Sequence, residues 1–500
     1  MSRILSNIQK EIYDKYKDRF SYQKIPLSYC TDMVSGKLDE RKILPHQEFV
    51  KQYFIDNPSQ RGILIYHEIG SGKTLSAINT CVYLLEEMKY KKILFVGPQA
   101  LYTNFLLEFG KFFPEKVGDI KSYNVEFETL NIPNKIDDMT VIVIDEAHIL
   151  MNMIINRVPN ALKLYEMLLA KTKIKILALS ATPIIDNPFE LSPLFNMLSG
   201  EEVFPRSGNE FFEIYIDQLY IDVYHEKRLR RFMNTYVSYY AGLSINPDIY
   251  PKINSFKKTM VQATELQRYQ QYNHQKNPVK EQGEYSCATY KDIDDALKNI
   301  KQYSPKIIQL YKDISKIKKG NVIIYSKYDH TIQLMIKYFE KMGLKRYTDD
   351  ETSCDFEYVD PLNYDTVGKI FSDPGNTESQ KIKILIFGAQ LRYGVSFFNV
   401  RHVFLMETYM MFNEIEQIIG RTRRICSQMN LQKKNKGINI MIYMAEKSID
   451  TEMHDNSLKY IAINKKFLLR LQEIAVDRLL YNFIKTRNIF QEFKYNIDYL

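Results

Sequence analysis

The sequence predicts an α/β protein built from two units, each a parallel sheet flanked by helices, with helical extensions at both ends. Three observations carry this. Short apolar runs of strand length recur along the chain, amphipathic stretches separate them, and a polar region at about 255–303 interrupts the alternation once. Strands that alternate with helices need crossover connections, which give parallel sheets covered on both faces. The 500 residues are 45% hydrophobic and 26% charged, which excludes a disordered chain, a fibre and a disulfide scaffold.

Residues 1–40 read as an N-terminal helical extension with scattered charges. The first unit, 41–235, carries apolar runs at 61–68, 91–98, 139–146 and 173–180, with helical periodicity at 75–89 and 160–169. Residues 236–303 read as a linker or insertion, rich in charge and Gln. Alternation resumes in the second unit, 304–446, with runs at 320–327, 381–388, 401–408 and 437–444. Residues 447–500 lack a strand pattern and have apolar residues at helical spacing, so a closing helical segment is expected there.

Other bounds follow from composition. No run approaches the ~18 uncharged apolar residues of a membrane span, and the N-terminus mixes charges into its apolar positions, unlike a signal peptide. Five widely spaced cysteines without a CxxC pair point to a reducing, intracellular compartment and no zinc site. The net charge of +8 is compatible with a polyanionic partner without requiring one.

The apolar run at 63–66 is followed by HEIGSGKT at 67–74 and then a helical stretch, the context a phosphate-binding loop needs. Gly70 and Gly72, with Ser71 between them, let backbone N–H groups converge on an anion, and the helix N-terminus adds partial positive charge. Lys73 would reach the β- and γ-phosphates of ATP, and the Thr74 hydroxyl would hold Mg²⁺. His67 occupies the position where the usual pattern has Gly.

A second carboxylate-bearing loop, Asp145-Glu146-Ala147-His148, ends the run at 141–144, at the carboxyl end of a strand where open sheets bind ligands. Asp145 would orient Mg²⁺, Glu146 would polarise the attacking water, and His148 would link the nucleotide site to the other unit. Ser180 and Thr182 end the next run and could hydrogen-bond to His148 or Glu146, sensing the nucleotide. Upstream, Gln47 offers a donor and an acceptor that suit adenine. In the second unit, Gln417, Gly420, Arg421 and Arg424 form a QxxGRxxR segment, and with Arg423 it places three arginines within four residues. Such a concentration of cations calls for anions, and an arginine at the γ-phosphate stabilises transition-state charge.

In order, Gln47, GSGKT (70–74), DEAH (145–148), SAT (180–182), GVS (394–396, with Gly394) and QxxGRxxR resemble the motif series of superfamily 2 helicases over about 40–445. LFVGPQALYTNF (94–105) and SATPIIDNPFELSPLFNML (180–198) resemble the Swi/Snf-type branch. VSYYAG (237–242), FSDPGN (371–376) and AVD (475–477) resemble helicases of large cytoplasmic DNA viruses, of the early transcription factor small subunit and nucleoside triphosphate phosphohydrolase I type. Three positions depart from the general pattern: His67, Tyr393 where an acidic residue often precedes the Gly, and Ile418 where DEAD-type proteins have Arg.

The resemblance implies two RecA-like lobes with ATP and Mg²⁺ in the cleft between them. DNA or RNA would be held through its phosphates across both lobes. Gln417, Arg421 and Arg424 would complete catalysis, and His148, Ser180, Thr182 and Gly394 would couple the nucleotide to the strand. It further implies ATP-dependent helicase or translocase activity linked to viral transcription, or remodelling of a promoter or polymerase complex without unwinding. Viral RNA polymerase or transcription-factor subunits are the expected protein partners, a membrane is not, and a virion or cytoplasmic virus factory is the expected location.

Overall fold

The computed structural model describes residues 2–21, 30–31, 43–115, 122–127, 131–216, 223–241, 249–276, 288, 290–348, 354–391, 395–407 and 412–481. Two compact units emerge. The first contains the described residues up to 241 together with 459–481, and the second contains 249–458.

The first unit is a six-stranded parallel sheet of β1 (Gly62–His67), β2 (Lys92–Val96), β3 (Ser122–Val125), β4 (Thr140–Asp145), β5 (Ile174–Leu179) and β6 (Val237–Tyr240). Its strand order is β3-β2-β4-β5-β1-β6. Every residue of β1, β4 and β5 is buried, which is why these strands read as continuous apolar runs. Neighbouring strands β4, β5 and β1 end in DEAH, SAT and the phosphate loop respectively, so the topology alone lines the three motifs along one carboxyl edge.

The second unit repeats the design with β7 (Ile253–Gln262), β8 (Asn321–Tyr325), β9 (Cys354–Val359), β10 (Ile382–Phe387), β11 (Val400–Leu405) and β12 (Ile438–Glu446), all parallel, in the order β7-β12-β11-β8-β10-β9. Both units are therefore the helix-flanked parallel sheets expected of RecA-like lobes.

The described parts of 236–303 and 447–500 contribute to the two units instead of only linking or trailing them. Residues 237–240 form the edge strand β6 of the first sheet and 253–262 the edge strand β7 of the second. The long helix Ile449–Ile474 begins in the second unit, and its later part buries Phe467, Leu471 and Ile474 in the core of the first. The N-terminal helix Ser2–Phe20 joins the same core, with Tyr16 and Phe20 packed edge-on against Phe49.

Candidate active site

The phosphate loop turns out of β1 through two left-handed glycines, Gly70 (φ 81°) and Gly72 (φ 79°). A Cβ at Gly72 would lie 2.2 Å from Gln47 Nε2, so both the dihedral and the close approach require glycine there. Ser71 is buried, its N–H and hydroxyl both donating to Glu68 O. The helix Lys73–Glu86 starts directly after Gly72, with Thr74 half-buried in its first turn. Lys73 Nζ donates to His67 O at 3.2 Å, across the mouth of the loop.

Gln47 lies in the first turn of the helix Pro45–Asp56 and is buried. Its Oε1 accepts the Leu44 N–H at 2.9 Å, and its Nε2 donates to Ser71 O at 3.1 Å. The amide that could read adenine is here engaged with the backbone on both sides. Its neighbour His46 was not singled out by the sequence, yet it belongs to the same contact. His46 Nε2–H donates to Ser71 O at 2.8 Å, and its ring stacks on Tyr240 with centroids 3.7 Å apart and planes at 4°. Burial lowers the His46 pKa to about 4, opposed by the Ser71 carbonyl. The ring is therefore neutral at pH 7.

At the end of β4, Glu146 adopts a left-handed backbone (φ 52°, ψ 51°). For a residue with a Cβ this costs on the order of 1–3 kcal/mol, a strain that clusters at functional positions. The twist aims the Glu146 N–H at Asp145 Oδ1, 2.9 Å away. Burial and the adjacent Glu146 push the Asp145 pKa up to about 7, while Lys73 pulls it down. A carboxyl raised in this way is poised for a divalent cation, whose charge would restore the ionised form. The donors, a carboxylate and the Thr74 hydroxyl, are the hard oxygens Mg²⁺ takes, with the nucleotide's phosphates supplying others.

Glu146 Oε2 is buried without a hydrogen-bond partner and lies 3.5 Å from His148 Nδ1. His148 is itself buried, with Nδ1 3.0 Å from Ser180 Oγ, and that hydroxyl also accepts the Thr182 N–H at 3.0 Å. DEAH and SAT are thus joined through one serine. Below them Glu190 holds the chain after SAT, accepting the N–H groups of Ile185 (2.7 Å), Asp186 (2.8 Å) and Asn187 (3.4 Å). The only sequence signal for this support was the Glu-Leu pair within the 180–198 segment.

In the second unit, Gln417 and Arg421 are buried one turn apart on the helix Phe412–Thr422. Arg421 Nη1 and Arg424 Nη2 both donate to Val395 O, at 3.4 and 3.2 Å. The middle arginine differs. Arg423 is 1% exposed, lies 4.8 Å from the Tyr250 ring centroid and donates through Nε to Pro251 O at 2.8 Å. It meets a ring face and a carbonyl, and it acts electrostatically on the buried Glu416. Gly394 and Tyr393 lie outside the described residues, while their neighbour Ser396 exchanges backbone hydrogen bonds with the Tyr364 hydroxyl.

The chain is similar to several known proteins. A family model described as "Type III restriction enzyme, res subunit" matches residues 4–185. A protein named as an ATP-dependent RNA helicase of Acanthamoeba polyphaga mimivirus is 28% identical, over 96% of this chain and 96% of its own. A termination factor NPH-I homologue of African swine fever virus is 24% identical over 94% of this chain and 83% of its own. Nucleoside triphosphatase I of Melanoplus sanguinipes entomopoxvirus is 23% identical over 82% and 75%. With the motifs placed at the strand ends of two helix-flanked parallel sheets, the chain is similar over most of its length to proteins named as ATP-dependent helicases, termination factors and nucleoside triphosphatases of large DNA viruses.

Proposed function

We propose that the chain is an ATP-driven motor of the Swi/Snf-like type that moves along or separates nucleic acid. The observation that carries this reading is the run of phosphate loop, SAT and DEAH along neighbouring strand ends of one sheet. Lys73 and the loop N–H groups bind the phosphates, while Thr74 and Asp145 hold Mg²⁺. When bound, that cation neutralises charge developing on the transferred phosphoryl group. Glu146 orients and deprotonates the attacking water. Arg421 and Arg424 stabilise the γ-phosphate, with Gln417 supporting them. His148 passes the state of Glu146 to Ser180 and Thr182. Gly394 belongs to the coupling segment. A strand gripped differently in the ATP and ADP states would then be stepped or remodelled.

A second reading is kept because three-quarters or more of two viral relatives, a termination factor homologue and a nucleoside triphosphatase, align with this chain. In it, the same ATP cycle remodels a viral transcription complex, with polymerase or transcription-factor subunits as partners, and separates no duplex.

Nucleotide-dependent strand binding distinguishes the two. A labelled oligonucleotide titrated with salt should lose affinity with a slope of about −2 to −5 in log K against log salt, since each neutralised phosphate contributes about 0.7–0.9. Affinity should be indifferent to sequence and should change between ADP and an ATP analogue. Equal affinity in both nucleotide states, or a strong preference for one promoter-like sequence, would favour the transcription-complex reading.

A further inference from the structure

His67 opens the phosphate loop with a buried ring where the usual pattern has no side chain at all. One ring nitrogen, Nε2, finds its partner in an unexpected direction, while Nδ1 is buried without a hydrogen-bond partner. The Ser238 hydroxyl, on edge strand β6, donates to Asp477 Oδ2. Its oxygen is left to accept from His67 Nε2–H, 2.9 Å away. The other Asp477 oxygen accepts the Tyr239 N–H at 2.8 Å. His67, Ser238 and Asp477 are each 0% exposed. Since the His67 carbonyl receives Lys73 Nζ, a continuous run of contacts leads from Asp477 to the phosphate-binding lysine.

The segment that bears Asp477 is fixed independently of this run. Val476 N–H donates to Val237 O at 2.8 Å, extending the pairing beside β6. Gln9 Nε2, from the N-terminal helix, donates to Glu473 O and Ala475 O, both at 2.9 Å. Gln472 Nε2 reaches the Tyr66 hydroxyl at 3.2 Å, one residue before His67, and Asn464 Nδ2 donates to Ile185 O at 3.1 Å, just past SAT. A rigid base under Asp477 means that its pull on Ser238 is transmitted to His67.

We propose that Asp477 is a positioning residue for nucleotide binding: through Ser238 it holds the His67 ring, and with it the start of the phosphate loop and Lys73, in the shape that accepts the phosphates of a nucleoside triphosphate. A buried imidazole N–H that loses its acceptor bears the full desolvation penalty, so the ring would move to find another and would carry the loop with it. The first lobe's site therefore depends on a segment that follows the second lobe in the sequence. The proposal rests on the phosphate-loop reading given above.

The test uses the full chain, with ATP as substrate and Mg-ADP as the equilibrium ligand. Ser238→Ala removes one buried oxygen and leaves the Asp477–Tyr239 bond in place, so the protein should still fold. It should raise KM for ATP and Kd for Mg-ADP about three- to tenfold while kcat changes less than about twofold. Asp477→Asn should show a smaller rise. Its amide oxygen still accepts from Tyr239 and its N–H₂ can donate to Ser238, freeing the hydroxyl to serve the other His67 tautomer. An unchanged KM in Ser238→Ala, with or without a lower Tm, would overturn the positioning role. Lys73→Ala, run in parallel, separates the two levels. If it loses nucleotide binding while Ser238→Ala is normal, only the positioning role fails; if it retains turnover, the phosphate-loop reading fails and takes the positioning role with it.

Discussion

The nucleotide-site loops of the first lobe and the arginine segment of the second are built in opposite ways. Around the phosphate loop, His46, Gln47, His67, Ser71 and Ser238 are all buried, with hydrogen bonds near 3 Å to loop carbonyls or to one another. In the second lobe, Arg421 and Arg424 converge on a single carbonyl, Val395 O, at 3.4 and 3.2 Å, the long end of the hydrogen-bond range. One site is preshaped by a polar network whose members cost energy to leave unpaired. The other gathers two cations at one carbonyl through long bonds, and charge-assisted bonds to phosphate are shorter and stronger than these. In the proposed reading, preorganisation lies with the loops assigned to ATP.

The largest expected effect sharpens this contrast within the arginine segment itself. Arg421→Ala and Arg424→Ala should each lower kcat by roughly 10³-fold or more while nucleotide binding persists. Arg423→Met should do the reverse. Burial raises the pKa of Glu416 to about 8, and Arg423 opposes that rise. Removing Arg423 leaves Glu416 and Pro251 O without it, lowering stability by about 2–4 kcal/mol with turnover of the folded protein retained. Chemical denaturation and steady-state ATPase on the three variants decide the matter. A catalytic loss at Arg423 equal to that at Arg421 would erase the distinction.

A smaller effect probes the preshaped half. Burial lowers the His46 pKa to about 4 and holds His67 well below its ordinary value. Both rings stay neutral in the folded chain while the unfolded chain protonates them below pH 6.5, so the unfolded state binds more protons between about pH 6.5 and 4. Stability should therefore fall on acidification across that window, by up to ~1.4 kcal/mol per pH unit for each ring. His46→Phe keeps a ring against Tyr240 but removes one titration and the Ser71 bond. It should be about 1 kcal/mol less stable than wild type at pH 7.5, and this deficit should shrink and reverse by pH 5. Urea midpoints at the two pH values measure it, and a deficit unchanged at pH 5 would contradict a neutral buried His46.

The eight strands legible as apolar runs are the interior strands of both sheets. The four without such a run, β3, β6, β7 and β9, are the four sheet edges. The physical reason is clearest in β7, where INSFKKTMVQ pairs on one side only and keeps most of its residues partly exposed, so no hydrophobic pattern is imposed on it. The catalytic loops were legible because each follows an interior strand directly, and strand-end loops in parallel sheets are where ligands bind. What could not be read was the pairing of distant polar residues. VSYYAG and AVD stood out as separate viral-helicase-like segments, but a Ser238–Asp477 hydrogen bond leaves no periodic trace in either. Gln47 shows the same limit in reverse: its amide suits adenine by chemistry alone, and only the fold reveals that Leu44 and Ser71 engage it.

The most direct test of the central claim is the ATP hydrolysis rate of the full chain, alone and with single-stranded DNA, duplex DNA or RNA, set beside Glu146→Gln under the same conditions. A nucleic-acid-driven ATPase should be stimulated by at least one of the three polymers. Glu146→Gln should bind nucleotide yet retain less than about a tenth of the turnover, since an isosteric amide cannot take the proton from water. A rate indifferent to every nucleic acid, or a Glu146→Gln variant that keeps more than about a tenth of wild-type activity, would contradict the account.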